Sequence, residues 1–144
     1  MQAIRIIEIP DCKMVSSGDG MFGDEHIDKF DKWLSNMPRT MLSMDFLMDG
    51  ASGGFCWLYM YEEGMNTAGF EVIDFKGGLY AIATDIDQKT DSKKMGKAID
   101  KFLKDNGFVR DSSRPELGNI ITPPEAKKAM GFEQMDYYTP IKAK

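Results

Sequence analysis

The stretch "GGFCWLYMYEEG" at residues 53–64 places Phe55, Trp57, Tyr59 and Tyr61 at every second position, with Cys56, Leu58 and Met60 between them. Successive side chains of an extended strand point to opposite faces, so this alternation predicts a strand over 55–61 with four rings on one face and smaller apolar groups on the other. A helical period does not fit it. Three of the four rings carry an indole N–H or a phenol O–H, which must find a partner wherever it is buried. Two environments satisfy such a face: a helix–sheet core or the wall of a ligand site. The residues alone leave both open.

Other periodic segments surround this strand. "AIRIIEIPDCKMVSS" predicts an opening strand, with Ile4, Ile6, Ile7, Ile9 and Val15 interrupted at Pro10, whose missing N–H calls for a bend, bulge or edge. Residues 24–37 repeat Ile27, Phe30, Trp33, Leu34 and Met37 at helical spacing, with Asp24 as N-cap and Pro38 beyond the end. Residues 40–53 show no clean period and read as a connecting loop. A hairpin-type connection at 62–67 leads to a strand at 68–75, and "KGG" turns into another at 79–86. Their close succession predicts an antiparallel meander.

A second helix is predicted over 90–107, with Met95, Ala98, Ile99, Phe102 and Leu103 on one stripe and Asn106-Gly107 as its stop. "GFVRDSSRPELGNI" reads as a short strand and a loop. "TPPEAKKAMG" predicts a short helix with Thr122 as N-cap, a proline in the first helical position, Glu125 and a closing Gly131. "EQMDYYTPIK" is the last strand. Strand, helix, strand, strand thus occurs twice, over about 3–74 and 78–142, a repeat inferred from element order rather than from residue identity. We expect a single domain over 1–144 with an α+β fold: duplicated β-α-β-β units forming an antiparallel sheet with both helices packed on one face.

Charge and composition narrow the function. A net charge of −5 argues against direct nucleic-acid binding, which depends on clustered Lys and Arg. Cys12 and Cys56 lack metal-ligand spacing and His26 is the single histidine, so we expect no metal, no other cofactor and no disulfide framework. Reduced thiols suit the cytoplasm. Arg5 and Glu8 interrupt the first apolar run, which is therefore neither a signal peptide nor a membrane span. Glycines 18, 20 and 23 precede no Lys-Ser/Thr pair and an acidic helix start, which excludes a phosphate loop. The pairs Glu62-Glu63 and Asp85-Asp87 read as solvated loops. Four of the twelve methionines lie between 37 and 48, either as loop packing or as a plastic lid.

Three stretches carry a resemblance. "IRIIEIPDCKMVSS", "GGLYAIATDID" and "QMDYYTPIK" resemble the effector-binding domains of the gyrase-inhibitory-protein-like superfamily, whose opening strand ends in Ile-Pro plus a small residue. The middle strand carries Gly-x-Tyr-Ala, here Gly78-Leu79-Tyr80-Ala81, and the last an acidic residue followed at fixed spacing by tyrosine and proline, here Asp136, Tyr138 and Pro140. The resemblance implies an aromatic-lined pocket for flat, hydrophobic, often cationic small molecules around one acidic residue. Carried over by position, that residue is Asp136, where many members have Glu, with Tyr138 two positions on and Tyr80 from the middle motif. Trp57, Tyr59 and Tyr61 would supply the wall.

The function so implied is binding, sensing or sequestering such a molecule in bacterial transcription regulation, alone or beside a fused or separate DNA-binding domain. One alternative is a hydrolase of strained electrophilic compounds, with Asp136 directing water and Tyr80 or Tyr138 donating the proton. Another is an acidic protein-binding module of gyrase-inhibitor type, which would show a large exposed apolar patch.

Overall fold

The computed structural model describes residues 3–38, 40, 44–50 and 53–144. Their elements run β1 (Arg5–Ile9), β2 (Cys12–Gly20), α1 (Glu25–Leu34), β3 (Asp45–Asp49), β4 (Phe55–Met60), β5 (Glu71–Phe75), β6 (Gly78–Ile86), α2 (Ser92–Asn106), β7 (Phe108–Arg110), β8 (Leu117–Ile120), α3 (Pro124–Met130) and β9 (Gln134–Ala143). The fold is α+β, and the strand pairings within each unit are antiparallel. The chain forms two compact units: an inner one, Asp11–Lys76, and a terminal one made of Met1–Pro10 and Gly77–Lys144. Pro10 marks the change from one to the other.

In the inner unit the strand order is β3-β4-β2-β5. The expected meander is not formed. β5 pairs with β2, and β6 belongs to the other unit. Ladder partners are chosen by which faces they bury, and β2 has two edges to fill: Val15 lies opposite Tyr59 on one side and Val72 on the other. The stretch expected to be a loop at 40–53 contains β3, whose Phe46 is buried opposite Leu58. Its period was hidden by the aspartates at both ends and by neighbouring methionines; residues 41–43, 51 and 52 of that stretch lie outside the described residues.

Helix α1 covers one face of this sheet because Ile27 and Phe30 fall on one side of it. Phe30 is fully buried, and burying such a ring contributes roughly 2–3 kcal/mol. Asp24 is the N-cap residue as expected, but its carboxylate accepts from the Met21 N–H in the preceding turn rather than capping the helix.

In the terminal unit the order is β1-β6-β9-β8, with β7 also on β9. Ten-residue β9 serves both short strands, pairing with β8 over Met135–Tyr138 and with β7 over 141–143. Ala81, Ala83 and Ile141 form the face that receives Ile99 and Leu103 of α2. The small alanines let the helix approach closely. Asp91 caps α2 by accepting from the Lys94 N–H, and Gly107 closes it at φ 78°, a left-handed conformation open to glycine. For α3, Pro123 rather than Thr122 is the N-cap, and Thr122 Oγ1 instead accepts from the Gln134 N–H. That hydroxyl is committed to tying the loop to β9.

Candidate functional site

The register of the terminal unit decides which residues share its face away from α2. Tyr80, Ile82 and Thr84 of β6 lie opposite Pro140, Tyr138 and Asp136 of β9, while Arg5 of β1 lies opposite Ile82 and Asn119 of β8 opposite Asp136. Tyr80, Asp136 and Tyr138 are all buried there, so three of the six sequence-predicted site residues are brought together. The Tyr80 and Tyr138 rings meet edge to face with centroids 6.1 Å apart. A polar group this deep needs a partner, because leaving it unpaired forfeits its solvation.

Two side chains hold Asp136. Arg5 Nη2 donates to Oδ2 at 2.8 Å and the Thr84 hydroxyl donates to Oδ1. Arg5 also reaches Thr84 Oγ1 at 3.4 Å, which closes a three-membered polar set. The carboxylate is 4% exposed and the guanidinium 51%, so one charge is buried and its counter-ion is half in solvent. This carboxylate is thus compensated from within the chain.

Arg114 sits over Tyr80, with its Cζ 4.8 Å from the ring centroid. Its side chain is buried; Nε donates to Asp111 Oδ2 at 2.9 Å, and Nη2 to the Leu79 and Ile141 carbonyls at 2.8 Å each. Gly78 leaves it room: at φ 148° it has no side chain, and a Cβ there would stand 2.5 Å from Arg114 Nη1. The Tyr80 hydroxyl and Arg114 Nη1 are buried without a hydrogen-bond partner among the described residues. Each such group typically costs about 1–3 kcal/mol. Burial pushes the Tyr80 phenol pKa up, with the Arg114 guanidinium opposing. The Ser113 hydroxyl, then Arg114 and the Ser113 N–H, hold Asp111 well below the usual carboxylate range.

Trp57, Tyr59 and Tyr61 belong to the inner unit and lie on the face of β4 that meets α1. Tyr59 is buried with Val15 and Phe30, and Trp57, Tyr61, Trp33 and Phe70 pack on that cluster. Ring centroids are 5.8 Å apart for Phe30–Trp57 and 5.6 Å for Trp33–Tyr59. The Trp57 indole donates to Asp45 Oδ2 at 3.1 Å, and the Tyr59 hydroxyl faces Met44 Sδ at 4.0 Å. Of the two environments the alternation allowed, the helix–sheet core is the one these contacts build.

Arg5, Thr84, Asp111 and Arg114 were not singled out as site residues. Arg5 had a signal, a cation inside an otherwise apolar strand. Arg114 had none, since a loop arginine before proline reads as solvated. His26 is exposed, its Nε2 at 2.8 Å from the Asp19 carbonyl. Among the described residues no group of three or more His, Cys, Asp or Glu could hold a metal, and no helix is long and apolar enough to cross a membrane. A cavity of about 240 Å³ lies beside α2, lined by Ile4, Ala83, Asp85, Asp91, Lys94 and Met95 among others, on the face opposite Asp136.

No protein-family profile matches the chain, and no curated protein matches it. Solved structures do. The EcmrR C-terminal domain is similar with a TM-score of 0.62 and 11% identity, over 99% of this chain and 98% of that one. In the EcmrR–DNA complex the chain covers 58% of EcmrR. SAV2435 bound to tetraphenylphosphonium is similar with a TM-score of 0.55 and 12% identity, over 98% and 94%. A hydrolase from Listeria innocua is similar with a TM-score of 0.63 and 13% identity, over 96% and 91%. At such identities the likeness is one of fold, and in fold the resemblance drawn from the sequence holds.

Proposed function

We propose that this chain is a small-molecule-binding effector domain linked to transcription regulation, and that it binds a hydrophobic, ring-bearing compound on the terminal unit's face around Tyr80, Asp136 and Tyr138. The observation that carries the reading is the set of polar groups on that face, of which Asp136 and Arg114 are buried. Arg5, Thr84, Arg114 and Asp136 converge beside two tyrosines where packing alone would favour apolar residues, and buried ionisable groups of this kind concentrate at functional sites. Similarity in fold to the EcmrR C-terminal domain and to drug-bound SAV2435 supports it. Trp57, Tyr59 and Tyr61 act as scaffold for the inner unit.

Regulation then works by linkage, ligand favouring one arrangement of the larger regulatory assembly over another. The hydrolase reading receives less support, since the Asp136 carboxylate is 4% exposed and both its oxygens already accept a hydrogen bond from the chain's own side chains. The test is a thermal-shift screen against triaryl compounds, with mass spectrometry of the recovered ligand. Binding raises Tm with concentration, following RT ln(1 + [L]/Kd), and returns the compound intact. An unchanged Tm across the panel defeats the proposal, and a chemically altered compound favours the hydrolase.

A further inference from the structure

We infer that the cavity beside α2 is a second small-molecule site, one that takes a compact zwitterion: an ammonium and a carboxylate on a small apolar body, in the manner of a free amino acid. It lies wholly within the terminal unit and is separate from the face around Asp136. Side chains of β6 alternate, so Ala83 and Asp85 point toward α2 while Ile82 and Thr84 point the other way.

Packing leaves a hollow there. From its middle onward α2 is closed on the sheet by Ile99 and Leu103, which meet Ala81, Ala83 and Ile141. Nearer its start the cavity-lining positions are Met95 and Ala98, and the strand face that runs Leu79, Ala81, Ala83 ends in Asp85. A small side chain on the helix and a carboxylate on the strand do not fill the layer. The cavity of about 240 Å³ has buried Ala83 at its floor and half-buried Ile4 and Met95 as walls. That is room for about eight waters at roughly 30 Å³ each, and less than the roughly 300 Å³ at which drug-sized sites begin. A triaryl compound does not fit.

Charge gives the ligand class. Asp85, Asp91 and Lys94 all line the cavity, yet none of them forms an ion pair among the described residues. One oxygen fixes each carboxylate: Asp85 Oδ1 accepts from the Ile86 N–H at 2.8 Å, and Asp91 Oδ1 from the Lys94 N–H at 3.1 Å. The other oxygen of each accepts no hydrogen bond among the described residues. Lys94 brings a positive charge and three donors to the same exposed rim. The N-terminus of α2, worth roughly half a positive charge, offsets part of Asp91, so the lining is close to neutral overall while its charges stay unpaired. A zwitterion matches this arrangement. Its ammonium takes Asp85 and Asp91, its carboxylate takes Lys94, and its apolar body displaces water from Ala83, Ile4 and Met95. A lone cation meets Lys94, and a lone anion meets two carboxylates.

Calorimetric titration of the full chain with phenylalanine, phenethylamine and 3-phenylpropionate tests this, since the three share a ring and differ in charge. Phenylalanine binds about tenfold or more tighter than either of the others. Asp85→Asn weakens phenylalanine about five- to tenfold and leaves 3-phenylpropionate unchanged. Lys94→Gln, at an exposed position, weakens phenylalanine by a similar factor and leaves phenethylamine unchanged. Ala98→Leu fills the cavity and abolishes binding of all three.

Phenethylamine or 3-phenylpropionate binding as tightly as phenylalanine overturns the inference, as does phenylalanine affinity that survives both charge substitutions or Ala98→Leu. No binding of phenylalanine by the wild type overturns it as well. Each of these results leaves the reading of the Tyr80 face standing, because triaryl compounds report on that face alone.

Discussion

Arg5 and Asp136 are 131 residues apart in sequence, yet Arg5 Nη2 donates to Asp136 Oδ2 at 2.8 Å. The pair is asymmetric, a buried carboxylate against a half-exposed guanidinium. The asymmetry dictates which substitution costs more. Arg5→Ala leaves a buried carboxylate without its counter-ion and destabilises by about 2–3 kcal/mol, while Asp136→Asn frees Arg5 into solvent and costs about 1–2 kcal/mol. Urea unfolding of the two variants measures the order, which reverses if the carboxylate is not the buried partner.

Titration gives a second handle. The Tyr80 phenol has a folded pKa raised above its ordinary value of 10.0, so its contribution is complete below pH 10 and is lost as pH rises through the folded value. Stability should fall on the alkaline side, and less steeply in Tyr80→Phe. Asp111 is shifted the other way, so its contribution is present above its ordinary value of 3.8 and is lost as pH falls through the lower folded one. Asp111→Asn should flatten the acid limb of a Tm–pH profile, and an unaltered limb would remove Asp111 from its role in fixing Arg114.

Two glycines should respond in opposite directions to alanine. A Cβ at Gly77 would stand 2.1 Å from the Ile9 carbonyl oxygen, a backbone atom that cannot step aside, so Gly77→Ala destabilises by about 2–4 kcal/mol. Gly96 lies inside α2 with nothing within 4 Å of an added Cβ, so Gly96→Ala stabilises by about 0.5–1 kcal/mol. Thermal melts of both variants settle the signs.

Phe30→Ala should cost about 3–5 kcal/mol, because it opens a void against Trp57, Tyr59 and Phe70. It should also change tryptophan fluorescence, since Trp33 packs at 5.2 Å from the same ring. A loss under 1 kcal/mol would mean that the rings of β4 are not held by α1.

The periodic segments were legible because period is set by neighbours in the chain. The strand at 55–60, both long helices and the closing glycines 107 and 131 lie where alternation, stripe and stop signals put them. Tyr80, Asp136 and Tyr138 were found through a resemblance in motif, and register then set them on one face. β3 was lost because two aspartates and methionines of mixed character hide a five-residue alternation.

The sequence by itself determined the strongly periodic elements and the α+β class, since backbone sterics, capping and hydrophobic period act within a few residues. Only the tertiary structure decided that β2 stands between β4 and β5, that the opening strand joins β6, and that the aromatic row faces α1. It alone gave Asp136 its counter-ion and set Arg114 over the Tyr80 ring. The physical reason is that strand pairing and charge compensation are chosen by what the whole chain can bury, and the partners of a buried group lie wherever folding brings them.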